Sequence, residues 1–334
     1  MQHRIRARAI PMRLQTSKKE IEQMKSYTID SKTYQLHKHP WLSMLAIMFT
    51  TIISIIISSK LLFGILGISP NSKISNLTQP MLFHILTGFI IAPLILHLPK
   101  GKTTYRQYLR DIGLIGEQEV IKLVLLGVSC YFFLAISQAS ASIIYRFFEG
   151  NPITLSFIQG VITISEDASS LLATIPSMFE EVGSRGIVLT VFLNSYSERK
   201  SIIFSSIGFS LMHLLNLAMG RELVWVIGQL IWSFTIGLFY GYVFVMTRSL
   251  LPPMIVHYLS NAFIGSLTGY MQSSASTRIE ALYGVILTLG IVPTVLMILW
   301  ARYFISEWLD IKDDSKLSKR SSTSIELRQE KRQP

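Results

Sequence analysis

The feature that most constrains the fold of this chain is a series of apolar runs, each about as long as a membrane-crossing helix. An α-helix needs about 20 apolar residues to cross the hydrocarbon core of a bilayer. Only 15% of the 334 residues are charged, against about a quarter in an ordinary soluble domain. The runs lie at roughly 41–59, 81–98, 120–144, 171–194, 201–219, 223–246, 250–270 and 281–304. They predict an all-α fold, a polytopic membrane helical bundle of about 8 transmembrane helices.

The distribution of basic residues predicts the orientation of this bundle. Eight spans place both termini on one side, together with 23 of the 31 Lys and Arg residues, whereas the opposite loops hold three. Cytoplasmic loops carry an excess of Lys and Arg. We therefore expect both termini in the cytoplasm and attribute the net charge of +11 to orientation, with no nucleic-acid partner. Seven spans are the alternative, because the fifth run is short and the third ends in polar residues.

Composition divides the chain into three regions. Residues 1–40 are predicted to be a basic cytoplasmic tail, although their Arg-rich start also resembles an organellar transit sequence. Residues 41–304 form the predicted membrane domain, and 305–334 a charged, disordered cytoplasmic tail. The segment 103–114 predicts a short amphipathic helix on the cytoplasmic surface.

Three charged residues interrupt the fourth apolar run, in the stretch "FEEVGSRG" at 179–186. A charge near the bilayer centre costs at least ~2.5–3.5 kcal/mol on insertion scales. Glu181 and Arg185 are four residues apart, so on a helix they face each other and can pair. Glu180 is rotated about 100° away and lacks that partner. Glu180 is therefore the candidate for chemistry.

Two histidines and an asparagine extend the candidate site. His213 lies in the next run, and His257 precedes Asn261 by one helical turn in the seventh. Counted from the predicted cytoplasmic helix ends, Glu180, His213 and Asn261 lie about 16–22 Å deep and His257 about 10 Å deep. With helix tilt, the four side chains could converge in one cavity open to the cytoplasm.

This set of side chains supports two chemical routes. A carboxylate and an imidazole in a desolvated cavity can hold and deprotonate water, while a second histidine and an Asn amide donate to the oxyanion. Alternatively, Glu180, His213 and His257 could bind Zn²⁺, leaving the fourth position to water. Both routes hydrolyse a peptide bond inside a membrane. The histidines of the second run, His84 and His97, are interpreted as hydrogen-bonded packing residues.

Three motifs in order resemble the CPBP intramembrane proteases, also called the CAAX prenyl endopeptidase or Abi family. Its motifs are Glu-Glu-x-x-x-Arg, Phe-x-x-x-His and His-x-x-x-Asn/Asp on successive membrane helices. They match 180–185, 209–213 and 257–261, and the "SLLPP" at 249–253 is also similar. The resemblance covers about residues 170–270, which would be the protease core.

The resemblance implies roles for these residues. Glu180 would activate the attacking water with His213, and His257 and Asn261 would stabilise the oxyanion. The implied supporting residues are Glu181, Arg185 and Phe209. Family members are labelled metalloproteases, yet a metal-free glutamate mechanism is also argued, so zinc is left open.

The resemblance also implies partners and a location. The substrate would be a membrane-embedded or membrane-anchored protein or peptide, such as a prenylated protein ending in Cys-a-a-X, and the lipid bilayer would surround the enzyme. The protein would be a multi-pass protein of a bacterial plasma membrane, or of an organellar membrane if the chain is eukaryotic.

Two other function classes fit a polytopic chain with buried charges. A transporter relays ions through such residues, but it predicts broken helices in matching halves of an internal repeat, and the sequence has no such repeat. A non-catalytic membrane partner or immunity protein would retain only a remnant of the site, whereas all three motifs are intact. We therefore favour an intramembrane endopeptidase.

Overall fold

The computed structural model describes residues 39–70, 72–96, 105–116, 118–148, 150, 152–156, 159, 171–172, 174–263 and 290–309. Within these ranges the regular structure is helical, with no strand. The helices are α1 (Pro40–Ser59), α2 (Lys73–Ile85), α3 (Tyr105–Asp111), α4 (Val120–Phe148), α5 (Pro176–Glu181), α6 (Glu198–Met212), α7 (Leu215–Ala218), α8 (Leu223–Thr247), α9 (Leu251–Phe263) and α10 (Val292–Trp308). The predicted all-α class is confirmed.

Three of these helices continue as π-helical segments. Helix α1 continues through Lys60–Ile65, α2 through Leu86–Ile91, and α5 through Val182–Leu189. The α-helical turns Ala92–Leu96 and Thr190–Leu193 then follow the π segments of α2 and α5. A π segment widens the helix and is found frequently at functional sites.

Local sequence explains where several helices begin. Pro40, Pro176 and Pro293 occupy the first helical turn, where the missing proline N–H would have no intrahelical partner in any case. At the start of α2, the hydroxyl of Ser72 accepts a hydrogen bond of 3.1 Å from the backbone N–H of Ser75.

A tight contact fixes the turn between α8 and α9. Arg248 ends α8 in the left-handed region, at φ 51°, and Gly113 lies against this turn with φ 76°. A Cβ atom on Gly113 would lie 2.6 Å from the Phe244 ring. The N–H of Leu250 donates to the Gly113 carbonyl at 2.9 Å. The segment after α3 therefore holds the start of α9.

The protein is an integral membrane protein with apolar helices. Five described segments are long and apolar enough to cross a membrane: Pro40–Ile65, Lys73–Leu96, Val120–Ser137, Glu198–Ala218 and Leu223–Thr247. They correspond to the first, second, third, fifth and sixth predicted runs.

The other three predicted runs are only partly comparable. The fourth forms α5 and its continuations and carries three charges. The seventh is described only to residue 263 and the eighth only from residue 290. The count of eight and the cytoplasmic position of both termini stay predictions, and the predicted tails lie outside the described residues except for 39–40 and 305–309.

Helix α5 occupies the centre of the described packing. Its α-helical start contacts α2 and α9, and its π segment contacts α1, α6 and α8. One buried apolar cluster surrounds α5 and includes Val182, Leu189, Phe192 and Leu250. The predicted short helix at 103–114 is present as α3, and its Tyr108 joins this cluster. A helix enclosed on so many sides can hold polar groups away from lipid.

Candidate active site

The two adjacent glutamates of α5 lie in different environments. They end the α-helical start of α5, directly before the π segment. The side chain of Glu181 is fully buried, at 0% exposed, whereas that of Glu180 is 33% exposed. The helix thus directs one carboxylate into packed protein and leaves the other accessible.

The buried carboxylate of Glu181 pairs with Arg185, as the spacing of four residues predicts. The Nη1 atom of Arg185 lies 3.1 Å from Oε1 and 3.1 Å from Oε2 of Glu181. Both side chains are fully buried. A buried charge without a partner costs several kcal/mol, so this pair is what makes either residue tolerable inside the bundle.

Aromatic rings enclose the rest of the Arg185 guanidinium. Its Cζ atom lies 4.1 Å from the centre of the Phe209 ring and 5.1 Å from that of Tyr240. Nη1 also donates to the hydroxyl of Ser184 at 2.7 Å, while Nε and Nη2 have no hydrogen-bond acceptor among the described residues. Cation–π attraction to the two rings stabilises these N–H groups.

His257 connects α9 to both glutamates. Its Nδ1 lies 2.7 Å from Oε1 of Glu181, and because an ionised carboxylate can only accept, Nδ1 carries the proton of this bond. Its Nε2 lies 4.0 Å from Oε2 of Glu180. The ring stacks on Tyr240 with a centroid separation of 5.5 Å. His257 is therefore held by Glu181 and faces Glu180.

His213 is fixed by the helix that carries it. It follows the last residue of α6, and its Nδ1 lies 3.0 Å from the Phe209 carbonyl oxygen. A carbonyl can only accept, so Nδ1 donates, and Nε2 of the neutral ring is left as an acceptor. The Phe209 ring meets the His213 ring edge to face, 5.0 Å between centroids, and also covers Arg185.

A cavity of about 470 Å³ lies beside Glu180, within the size range of small-molecule sites. Its walls come from α1, α2, α5, α6, α7 and α8 and are largely apolar. The polar side chains that line it include Gln79, His84, Glu180, His213, Asn216 and Gln229. The cavity thus offers a carboxylate and imidazoles, set in largely apolar walls, to whatever enters it.

The structure brings some of the predicted site residues together and separates one. Glu180 and His213 line the cavity. His257 is not among its lining residues but faces Glu180 from within the protein. Asn261, one turn further along α9, is exposed and does not line the cavity. The catalytic roles of all four residues stay predictions.

Sequence reasoning missed two residues of this region. His84 was interpreted as a packing residue, yet it lines the same cavity as Glu180; a polar ring in an apolar run was the available signal. Tyr240 stacks on His257 and lies under Arg185, and nothing in the apolar sequence of α8 distinguishes it. His97 lies outside the described residues.

The donor atoms near Glu180 can be compared with the requirements of a metal site. Among the residues that the structure describes, no group of three or more His, Cys, Asp and Glu side chains has the proximity needed to hold a metal ion. Nδ1 of His213 and Nδ1 of His257 are engaged by Phe209 and Glu181, which leaves Nε2 of each ring as the nitrogen that could bind a metal. The zinc site at Glu180, His213 and His257 stays a prediction.

Comparison with known proteins adds a family. Residues 168–263 match the family model described as "Type II CAAX prenyl endopeptidase Rce1-like". This range contains the three motifs, from Glu180 to Asn261. No match was found among curated proteins or among solved structures. The family model that matches residues 168–263 is that of the CPBP or CAAX proteases, the family that the motifs predicted.

Proposed function

We propose that the protein is an intramembrane endopeptidase in which Glu180 activates water for attack on a peptide bond. The family match indicates this class of activity. The observation that carries the proposal is that the two adjacent glutamates of α5 have different surroundings. Glu180 lines an apolar cavity together with His213, while the neighbouring Glu181 is buried and holds His257.

In the first step, the attacking water lies between Glu180 and His257. Their facing atoms are 4.0 Å apart, which is too long for a direct hydrogen bond. A water molecule about 2.8 Å from both atoms would fit between them. Glu180 takes a proton from this water while the water oxygen bonds to the carbonyl carbon of the substrate. Nε2 of His213, on the cavity wall, is a hydrogen-bond acceptor that can help to orient the water.

The second step returns the proton to the leaving group. The tetrahedral intermediate collapses as the carbon–nitrogen bond breaks, and the protonated Glu180 delivers its proton to the departing amine. The products are a new carboxylate and a free amine. Glu181 holds His257 at Nδ1, so that Nε2 faces Glu180. The family resemblance implies that His257 and Asn261 stabilise the oxyanion.

The proposed substrate is a membrane-anchored protein of the prenylated Cys-a-a-X type. The cavity walls carry apolar side chains from α1, α2 and α5, among them Met44, Met48, Phe83 and Phe179. These walls suit an apolar group on the substrate, and the polar residues at Glu180 suit its peptide bond. The proposed location is a bacterial plasma membrane, or an organellar membrane in a eukaryote.

The test uses the full chain reconstituted in phospholipid vesicles. A farnesylated peptide ending in Cys-a-a-X, and its unprenylated twin, are incubated with it in ¹⁸O-labelled water, and the products are analysed by mass spectrometry. We expect release of the C-terminal tripeptide from the farnesylated peptide, with one ¹⁸O in the new carboxylate. Glu180→Gln should lower kcat by about 10²–10⁴-fold, the usual contribution of a general base.

Glu307→Gln is the matched control, because Glu307 is an exposed residue of α10 remote from the cavity lining. It should cleave at the wild-type rate. Cleavage by Glu180→Gln at the wild-type rate would contradict the proposal. A second pair of results would also contradict it: the wild-type protein cleaves neither peptide, and cells carrying it have the same protein termini as cells carrying Glu180→Gln.

A further inference from the structure

We propose that His84 of α2 is a catalytic residue of this cavity, whose imidazole N–H donates a hydrogen bond to the scissile carbonyl oxygen. The inference rests on the proposed function and adds a residue outside the three motif helices. As water adds to the carbonyl carbon and Glu180 takes its proton, negative charge builds up on this oxygen. No covalent bond to His84 forms or breaks.

The packing of α2 on α5 places His84 near the level of Glu180. The segment Lys73–Ile85 contacts Pro176–Glu181, and Leu86–Ile91 contacts Val182–Leu189, so the two helices run parallel. A Cβ atom on Gly88 would lie 3.0 Å from Val182. His84 is one turn before Gly88, as Glu180 is just before Val182. His84 and Glu180 line the same cavity.

Both helices widen directly after these residues. Helix α2 becomes π-helical at Leu86, two residues after His84, and α5 becomes π-helical at Val182, two residues after Glu180. Helix α2 also contains Pro80, one turn before His84. A proline can kink a helix, and π segments within helices are found frequently at functional sites. The π segments of α2 and α5 thus both begin beside the cavity, two residues after His84 and Glu180.

The hydrogen bonds of the three histidines distinguish His84 from the others. Nδ1 of His213 donates to the Phe209 carbonyl, and Nδ1 of His257 donates to Glu181. Neither ring nitrogen of His84 has a hydrogen-bond partner in the part of the chain that the structure describes. A polar group in an apolar wall is normally hydrogen-bonded. A substrate carbonyl in the cavity would supply the missing acceptor.

The position of Asn261 leaves room for another hydrogen-bond donor to the oxyanion. The family resemblance assigns it to the oxyanion, yet it is exposed and does not line the cavity. His84 lines the cavity with Glu180. Removal of one oxyanion donor typically costs about 10²–10³-fold in kcat. We therefore expect His84 to contribute on this scale.

The experiment compares donor and non-donor replacements in the vesicle assay with the farnesylated peptide. His84→Leu and His84→Phe introduce an apolar side chain that has no hydrogen-bond donor, whereas His84→Gln retains an N–H donor. We expect both non-donors to lower kcat by about 10²–10³-fold with KM unchanged. His84→Gln should recover at least tenfold of this loss. His39→Leu, which changes an exposed histidine just before α1, should leave kcat unchanged.

Thermal unfolding in detergent identifies which variants fold, and kinetics are compared among those. A fully active His84→Leu or His84→Phe protein would overturn this inference alone, since the wild-type enzyme would still hydrolyse the peptide. Equal losses in folded His84→Gln and His84→Leu proteins would overturn the donor role. A wild-type protein that cleaves no peptide would overturn the proposed function, and this inference with it.

Discussion

The Nδ1 atom of His257 lies 2.7 Å from Oε1 of Glu181, and this contact ties α9 to α5 inside the bundle. The same carboxylate pairs with Arg185 at 3.1 Å. One buried acid thus pairs with a guanidinium on its own helix and accepts a hydrogen bond from an imidazole on another. Glu180, the adjacent residue, is left free of protein ion pairs shorter than 4.0 Å within the described part of the chain.

The first prediction separates the two glutamates by stability. Glu181→Gln removes the charge that offsets buried Arg185, so it should destabilise the protein by about 3–5 kcal/mol, as breaking a buried pair does. Glu180→Gln leaves that pair intact and should unfold within about 0.5 kcal/mol of wild type, as changes outside such features usually do. Denaturant unfolding in detergent, followed by tryptophan fluorescence, measures both. Equal unfolding midpoints for the two variants would contradict the assignment of distinct roles.

The second prediction concerns the planar guanidinium of Arg185. Arg185→Lys keeps a positive charge beside Glu181 but loses the flat group that lies 4.1 Å from the Phe209 ring. We expect a loss of about 2 kcal/mol, the scale of a desolvated cation–π contact. Arg302→Lys, at an exposed position of α10, is the matched control and should be neutral. An Arg185→Lys variant as stable as this control would show that the rings contribute nothing.

The third prediction uses the glycine that makes room for Arg185. A Cβ atom on Gly237 would lie 3.0 Å from Nη2 of Arg185 and 3.1 Å from Ser206. Overpacking of this kind costs typically about 1–3 kcal/mol, so Gly237→Ala should have a lower unfolding midpoint than Gly64→Ala, a second glycine-to-alanine change within a helical segment. Gly64→Ala is the control, because a Cβ atom on Gly64 would meet no atom of the described residues within 4 Å. If Gly237→Ala matches Gly64→Ala in stability, the close packing around Arg185 is refuted.

The fourth prediction tests the orientation of α6. Lys200 lies near the start of the apolar segment Glu198–Ala218, and Arg221 lies just beyond its end. Both residues are exposed. Cysteines placed at the two positions should therefore react with an impermeant maleimide from opposite sides, Lys200→Cys from the cytoplasm. The native Cys130 is buried, and Cys130→Ser removes its background. Labelling of both positions from one side would exclude α6 as a membrane span.

Much of this architecture follows from the sequence alone, for physical reasons. Apolar runs of about 20 residues have few alternatives to membrane helices, so the all-α class was predictable. The pair Glu181–Arg185 was predictable because helical residues four apart share a face. Pro176 at the start of α5 was a local signal as well. These inferences depend on periodicity within one helix, which a sequence displays directly.

What lies between helices was decided only by the tertiary structure. No spacing in the sequence says that Glu181 also receives His257, 76 positions away, or that Tyr240 stacks on that ring. The cavity that collects His84 with Glu180 depends on how α2 packs on α5. Sequence periodicity sets which face of a helix is polar, but side-chain packing between helices sets which polar groups meet. The motif residues could therefore be proposed from the sequence, whereas their neighbours from other helices could not.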